Sequence, residues 1–164
     1  MNSKSSLWIS LLLGILAFAL DRGQKFYQIE IAGWRGGEGI QVTSFFDYVL
    51  VWNTGISYGL LDRLPVLVLG LLMLAAIVAL GIWWWRNKAP LVRMGLALCL
   101  GGALSNALDR ALYGAVADFF HFHWGTASFY IFNLADAAIT LGVVLLFVDM
   151  ARSRRDRVDA ATGA

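Results

Sequence analysis

The sequence predicts a membrane-embedded α-helical protein, a four-transmembrane-helix bundle with a small extracytoplasmic β-platform between helices 1 and 2. Three observations carry that expectation. Of the 164 residues, 59% are hydrophobic and only 15% charged, against about 45–50% and about 25% in ordinary soluble domains. The mean hydropathy is +0.68, and the apolar residues collect into four runs near the ~20 residues that a helix needs to cross a bilayer. Lys and Arg, finally, fall on alternate connections between those runs. A single membrane domain is expected, with spans at about 7–26, 65–85, 91–109 and 131–150, the platform at about 27–64 and a basic tail at 151–164.

Leu7 to Leu20 is apolar except for Ser10 and follows a polar start carrying Lys4. A signal peptide has the same pattern. However, Leu20 runs straight into the charged stretch Asp21-Arg22-Gly23-Gln24-Lys25, and three more apolar runs follow. A retained first span is expected, with Lys25 reaching back toward the headgroups.

From Phe26 to Leu64 the composition changes. Gly33, Gly36, Gly37 and Gly39 interrupt any helix, and Ile40 to Trp52 is rich in β-branched and aromatic residues, as one or two short strands would be. Asn53-Thr54-Gly55 and Ile56-Ser57-Tyr58-Gly59 then supply turn chemistry. Pro65 to Trp85 carries no charge and ends in three tryptophans, which suit a membrane interface. Arg86, Lys88 and Arg93 mark a basic loop before the third span. In that span Gly95, Gly101, Gly102, Ala103 and Ser105 are small enough for close helix packing. Residues 111–130 read as a loop bearing Asp118, His121, His123 and Trp124, and the fourth span carries Asn133 and Asp136.

Orientation follows from the basic residues, which in short loops favour the cytoplasm. Lys4, Arg86, Lys88, Arg93, Arg152, Arg154, Arg155 and Arg157 share one side, and the opposite connections hold only Arg35 and Arg63. Both termini are therefore expected in the cytoplasm, and the tail is read as a juxtamembrane flank rather than a nucleic-acid site. The polar residues at the span ends then gather near one outer interface, with Asp136 about five residues inside the last span. Cys99 is alone in an apolar run and reads as packing.

Ionisable groups inside a membrane mark function by default. Asp118 and Asp136 are two carboxylates at one depth, and such a pair shares a proton: one acid activates water while the other polarises a carbonyl. Asp109-Arg110 at a helix end reads as well as an ion pair or cap that orients the loop as it does as a direct part of the site, and Asp21 with Lys25 has the i, i+4 spacing of a helical pair. His121 and His123 could hold a metal, but with no third ligand in view interfacial histidines are the better reading. A proton relay or small transporter, and a purely structural subunit, remain as alternatives. A relay would need titratable groups at successive depths, and the inner halves of the spans hold almost none.

Taken together, Asp21 with Lys25, Asn53-Thr54-Gly55, Gly101 to Arg110, Ala117-Asp118-Phe119 and Phe132 to Asp136 resemble the motifs of lipoprotein signal peptidase, the bacterial type II signal peptidase. The likeness runs from Leu16 to about Phe147 in the family's order. It implies a metal-independent aspartyl endopeptidase without cofactor in the bacterial inner membrane, working near its outer face. The implied substrate is a diacylglyceryl-modified prolipoprotein, cleaved before the lipobox cysteine. Asp118 and Asp136 match the family's catalytic pair. Asp21, Lys25, Asn53, Gly55, Asn106, Asp109, Arg110, Asn133 and Ala135 match positions that support the pair or contact substrate and globomycin-like inhibitors. The implied partners are that substrate and membrane lipid, with no nucleic acid, and a monomer is expected. Arg22 stands where the family usually has glutamine, Ser105 replaces a common glycine, and Ile56 to Gly59 depart from the usual small-small-Phe-Ser.

Overall fold

A computed structural model describes residues 3–55 and 66–162; Pro65 and the Ile56 to Gly59 departure lie outside the described residues. Helix α1 spans Ser3–Phe26, β1 Gly39–Thr43, β2 Phe46–Asn53, α2 Val66–Arg86, α3 Pro90–Tyr113, β3 Val116–Trp124, β4 Ala127–Ser128 and α4 Leu134–Thr162. The segments Lys4–Ile31, Pro90–Tyr113 and Leu134–Arg157 are long and apolar enough to cross a membrane, and Val66–Arg86 is a further apolar helix. Outward-facing Trp8, Leu12, Ile15, Leu16, Leu20, Leu71, Leu74, Leu141 and Phe147 are exposed. Apolar surface on that scale suits contact with lipid, and this is a membrane protein.

Helix α3 is the hub, packed against α1, α2 and α4. It starts with Pro90 in its first turn, where a missing N–H costs nothing. It stops at Gly114, whose φ of +73° is the left-handed cap that glycine takes without strain. Its neighbours approach on the small residues. A Cβ at Gly101 would lie 2.3 Å from the Gly14 carbonyl oxygen of α1, and one at Gly102 would lie 2.4 Å from that of Ala135 in α4. Neither obstacle is a flexible side chain. Gly102→Val should therefore push the start of α4 away and cost about 1–3 kcal/mol, the range for overpacking; thermal unfolding in detergent measures it, and an unchanged midpoint would contradict the close approach.

The other end of the bundle holds a second polar cluster. Arg93, expected in a loop, is buried inside α3, where its Nε donates to the Asn87 carbonyl at 2.6 Å and its Nη1 lies 3.3 Å from Ser6 Oγ. The loop is short enough that the first turn of α3 folds back over it. Residues 151–162 continue α4 as helix.

Beyond Phe26, α1 widens into a π-type turn, Tyr27–Ile31, closed by Ala32 N donating to Tyr27 O at 2.8 Å. The turn carries Ile29 into the sheet's core with Leu50, Ala117 and Phe119. The sheet corrects the expected platform in one respect. It has four antiparallel strands in the order β1-β2-β3-β4, so half of them come from residues 116–128, which had read as a loop. The stretch Val116 to Trp124, with Phe119, Phe120, Phe122 and Trp124, is aromatic enough for a strand, but its charged and histidine residues drew attention away from that pattern. Strands β2 and β3 slip register by one residue between Tyr48, opposite Phe120, and Val51, opposite Asp118. A bulge of this kind re-aims the side chains beside it.

Candidate active site

Asp118 sits on β3 just past that bulge and is 3% exposed. Its Oδ2 accepts from Asn53 Nδ2 at 3.0 Å and its Oδ1 from Asn133 Nδ2 at 2.7 Å. Asn53 is the last residue of β2, and its own Oδ1 accepts from the Gly55 N–H at 3.1 Å. The turn residues 53–55 are thus fixed by the side chain that also holds Asp118. Arg110 secures the same turn, with Nη2 donating to Gly55 O at 2.6 Å and Nη1 reaching Thr54 O at 3.5 Å.

Asp136 comes from the first turn of α4, because the helix begins at Leu134 and not at Ile131. Asn133 is the N-cap: its Oδ1 accepts from Asp136 N at 2.9 Å, and Asp136 Oδ2 accepts from Asn133 N at 3.2 Å. This reciprocal exchange is a capping box with Asp in the place of the usual Glu. Asp136 therefore stands at the mouth of the helix, and the depth of five residues expected from the sequence shrinks to three positions. Its other oxygen accepts from Asn106 Nδ2 at 2.9 Å. Asn133 Nδ2 also reaches Asn106 Oδ1 at 3.1 Å and Ala117 O at 3.3 Å. One asparagine consequently contacts both carboxylates.

Beneath the two acids lies a fully buried ionic cluster. Lys25 Nζ is 2.7 Å from Asp21 Oδ2 and 2.6 Å from Asp109 Oδ2, and all three side chains are sealed from solvent. Lys25 is thus an internal cation, where the sequence had suggested one reaching for headgroups. Asp109 pairs with Lys25 and with Arg22 rather than with its neighbour Arg110. The remaining valences are used: Asp109 Oδ2 accepts from Ala117 N at 3.1 Å, Asp21 Oδ1 from Ala135 N at 2.9 Å and Asp21 Oδ2 from Ser105 Oγ at 2.6 Å. Lys25 also donates to Asn106 Oδ1 at 3.1 Å. Ala135 itself is buried under α3 and offers only its backbone. Every residue matched to the family's motif positions therefore lies in one connected network, which Arg22, Ser105 and Ala117 join, whereas His121 and His123 lie outside it. Arg22 and Ser105, the two departures within the described residues, both bind the acids of the cluster.

The charges decide what the upper pair can do. Two cations, Lys25 and Arg22, face two carboxylates, Asp21 and Asp109, so the cluster is close to neutral by itself. Asp118 and Asp136 have hydrogen-bond donors but no salt bridge of their own among the described residues. Burial, with Asp136 adding to it, pushes the Asp118 carboxyl up to about 7. The buried Asp118 carboxyl, beside the half-buried Asp136, is thereby disposed to keep its proton near neutral pH. Beside Arg110, a cavity of about 200 Å³ opens between α2, α3 and the 53–55 turn, lined by Thr54, Gly70, Met73, Ala107 and Arg110.

Among known proteins, the family model described as signal peptidase (SPase) II matches residues 13–152. A lipoprotein signal peptidase of Methylocella silvestris is 45% identical over 148 residues, covering 88% of this chain and 86% of that one. One of Rhodopseudomonas palustris strain TIE-1 is 47% identical over 153 residues, covering 86% and 90%. Two solved structures described as bacterial membrane enzymes share the fold, at TM-scores of 0.80 and 0.75. Their identities are 23% and 24%, and they cover 92% and 88% of this chain and 92% and 93% of their own. With a matched model over most of its length and relatives above 40% identity, the chain belongs to the signal peptidase II family.

Proposed function

We propose that the chain is an aspartyl endopeptidase that removes signal peptides from diacylglyceryl-modified prolipoproteins, cutting before the lipobox cysteine with Asp118, Asp136 and a water. The observation that carries this reading is the Asn133 bridge, which ties both carboxylates into one hydrogen-bonded unit. The peptide carbonyl takes a hydrogen bond from the protonated acid while the ionised acid removes a proton from water; the water oxygen then forms the new C–O bond, and the amide nitrogen leaves with a proton. The shared proton belongs to the pair, weighted toward Asp118. Asp136, at the positive end of the α4 dipole, is the better-placed anion of the two. A tetrahedral oxyanion is then met by the protonated acid, and no metal is part of the scheme.

In this reading α2 is a fourth span, both termini are cytoplasmic, and the platform and dyad face outward at the surface of the inner membrane. The lipid anchor of the substrate stays in the bilayer while the scissile bond reaches the carboxylates, and globomycin-like inhibitors compete for the same place. The proton-relay alternative has less support. Arg93 and Asp109 on α3 are sixteen positions apart, about 24 Å at 1.5 Å per residue, and among the described buried residues no ionisable group of α3 other than Cys99 lies between them.

The test is cleavage of a diacylated lipobox peptide by the purified chain as a function of pH. Activity needs one proton on the pair. That proton is present below about 7 and is lost as the pH rises through the raised Asp118 value. The rate constant kcat/KM should therefore fall on the alkaline side of about 7, approaching tenfold per pH unit. Absence of cleavage under all conditions, or a rate that climbs through pH 9, would defeat the proposal.

A further inference from the structure

Away from the dyad, the platform brings together three side chains that the proposed chemistry does not use. Asp47 on β2 lies opposite His121 on β3, and His123 follows on the same face of that strand. One carboxylate oxygen, Asp47 Oδ2, is 3.4 Å from His121 Nδ1 and 3.1 Å from His123 Nε2. Donor atoms of all three lie within 4.8 Å of one another. The histidines, which lacked a third partner in the sequence, acquire one through strand pairing.

The hydrogen bonds around them argue for a cation between the three. His121 Nε2 is 2.7 Å from Ser128 Oγ on β4. The serine hydroxyl donates to the Phe129 carbonyl at 3.2 Å, so its oxygen is the acceptor and Nε2 carries the hydrogen. The lone pair of a neutral His121 is then on Nδ1, facing the Asp47 carboxylate. On the other side, His123 Nε2 is shut off from solvent and makes no hydrogen bond, although Asp47 lies close by. Acceptor faces acceptor, an arrangement that costs energy unless something positive stands among them.

Ligand atoms about 2.0–2.1 Å from a tetrahedral zinc ion stand about 3.3 Å from one another, and the two Asp47 distances bracket that figure. The Ser128 contact is also the kind of outer hydrogen bond that fixes the tautomer of a metal-bound histidine. We propose that Asp47, His121 and His123 bind a zinc-class divalent cation that fastens β2 to β3. The site is three residues along β3 from Asp118, about 10 Å at 3.3 Å per residue, and is separate from the proposed chemistry.

The experiment is a calorimetric titration of the chelator-stripped full chain in detergent with zinc alone, repeated with His123→Gln and Asp47→Asn. Cobalt(II) absorption provides a second measurement on the unmodified protein. One zinc per wild-type chain is expected, with at least a tenfold weaker Kd in each variant and a tetrahedral cobalt spectrum that zinc abolishes. Failure of the wild type to take up either metal would overturn the proposal and leave a protonated histidine paired with Asp47. Equal uptake by wild type and both variants would overturn it too, since the metal would then sit elsewhere. The unmodified protein's cobalt spectrum keeps the test open should a variant fail to fold. Peptide cleavage by the dyad is read separately and is unaffected by either outcome.

Discussion

Asp118→Asn is expected to lower kcat for a lipidated lipobox peptide by about 10³-fold or more while leaving KM within a few-fold of its original value. The substitution removes the proton that the pair shares, and positioned acid–base groups contribute about 10²–10⁴ each. Asp136→Asn should be as damaging to kcat, for loss of the base. The two should differ in stability. Asp118 holds no helix end together, whereas Asp136 returns a hydrogen bond to the Asn133 N–H in the capping box, and disturbing such a cap costs about 1 kcal/mol. The comparison thus separates chemistry from folding: both variants lose turnover, but the second also unfolds at a lower temperature in detergent. Near-normal cleavage by either would remove the dyad from consideration.

Lys25→Met is expected to produce the largest loss of stability of any single change considered. It leaves Asp21 buried without a cation and Asp109 with Arg22 alone. Breaking a buried pair from one side typically costs about 3–5 kcal/mol, because the stranded charge remains where water cannot reach it. A methionine keeps the length and apolar stem of the side chain, so the effect isolates the ammonium group. Arg22→Gln should cost less, since Lys25 still pairs with Asp109 and Arg22 is partly exposed. The order of unfolding midpoints, wild type above Arg22→Gln above Lys25→Met, is the result to check; a Lys25→Met protein as stable as wild type would mean that the cluster contributes little.

Much of this arrangement could be read from the sequence. Apolar runs locate the helices because a bilayer permits few alternatives for a chain whose backbone must satisfy its own hydrogen bonds. The membership of family positions in one site followed from motifs, and Asp21 with Lys25 from helical spacing. What spacing could not supply was the partner across the fold. Asp109 binding Lys25 and Arg22 instead of Arg110, or Asp47 arriving beside His121, depends on which helix faces and strands meet, and pairwise contacts between distant segments leave no local periodic trace. The same limit hid β3. Its pairing with β2 joins residues some seventy positions apart, and a strand whose partner lies that far off resembles a loop when read alone. The start of α4 was misplaced for a different reason: Ile131 and Phe132 are apolar and extend the hydropathy run, while the cap at Asn133 is set by side-chain hydrogen bonds.

Asn133 has a consequence for how the protein comes into being. Its side-chain amide touches α3 through Asn106 and β3 through Ala117 and Asp118, while its backbone and carbonyl oxygen start α4. The carboxylates are therefore brought together by the same contacts that seat the last helix. A nascent chain carries Asp118 before Asp136, and the contacts through Asn133 form only once α4 lies against α3. Under the proposed mechanism, hydrolytic competence therefore waits on the docking of α4.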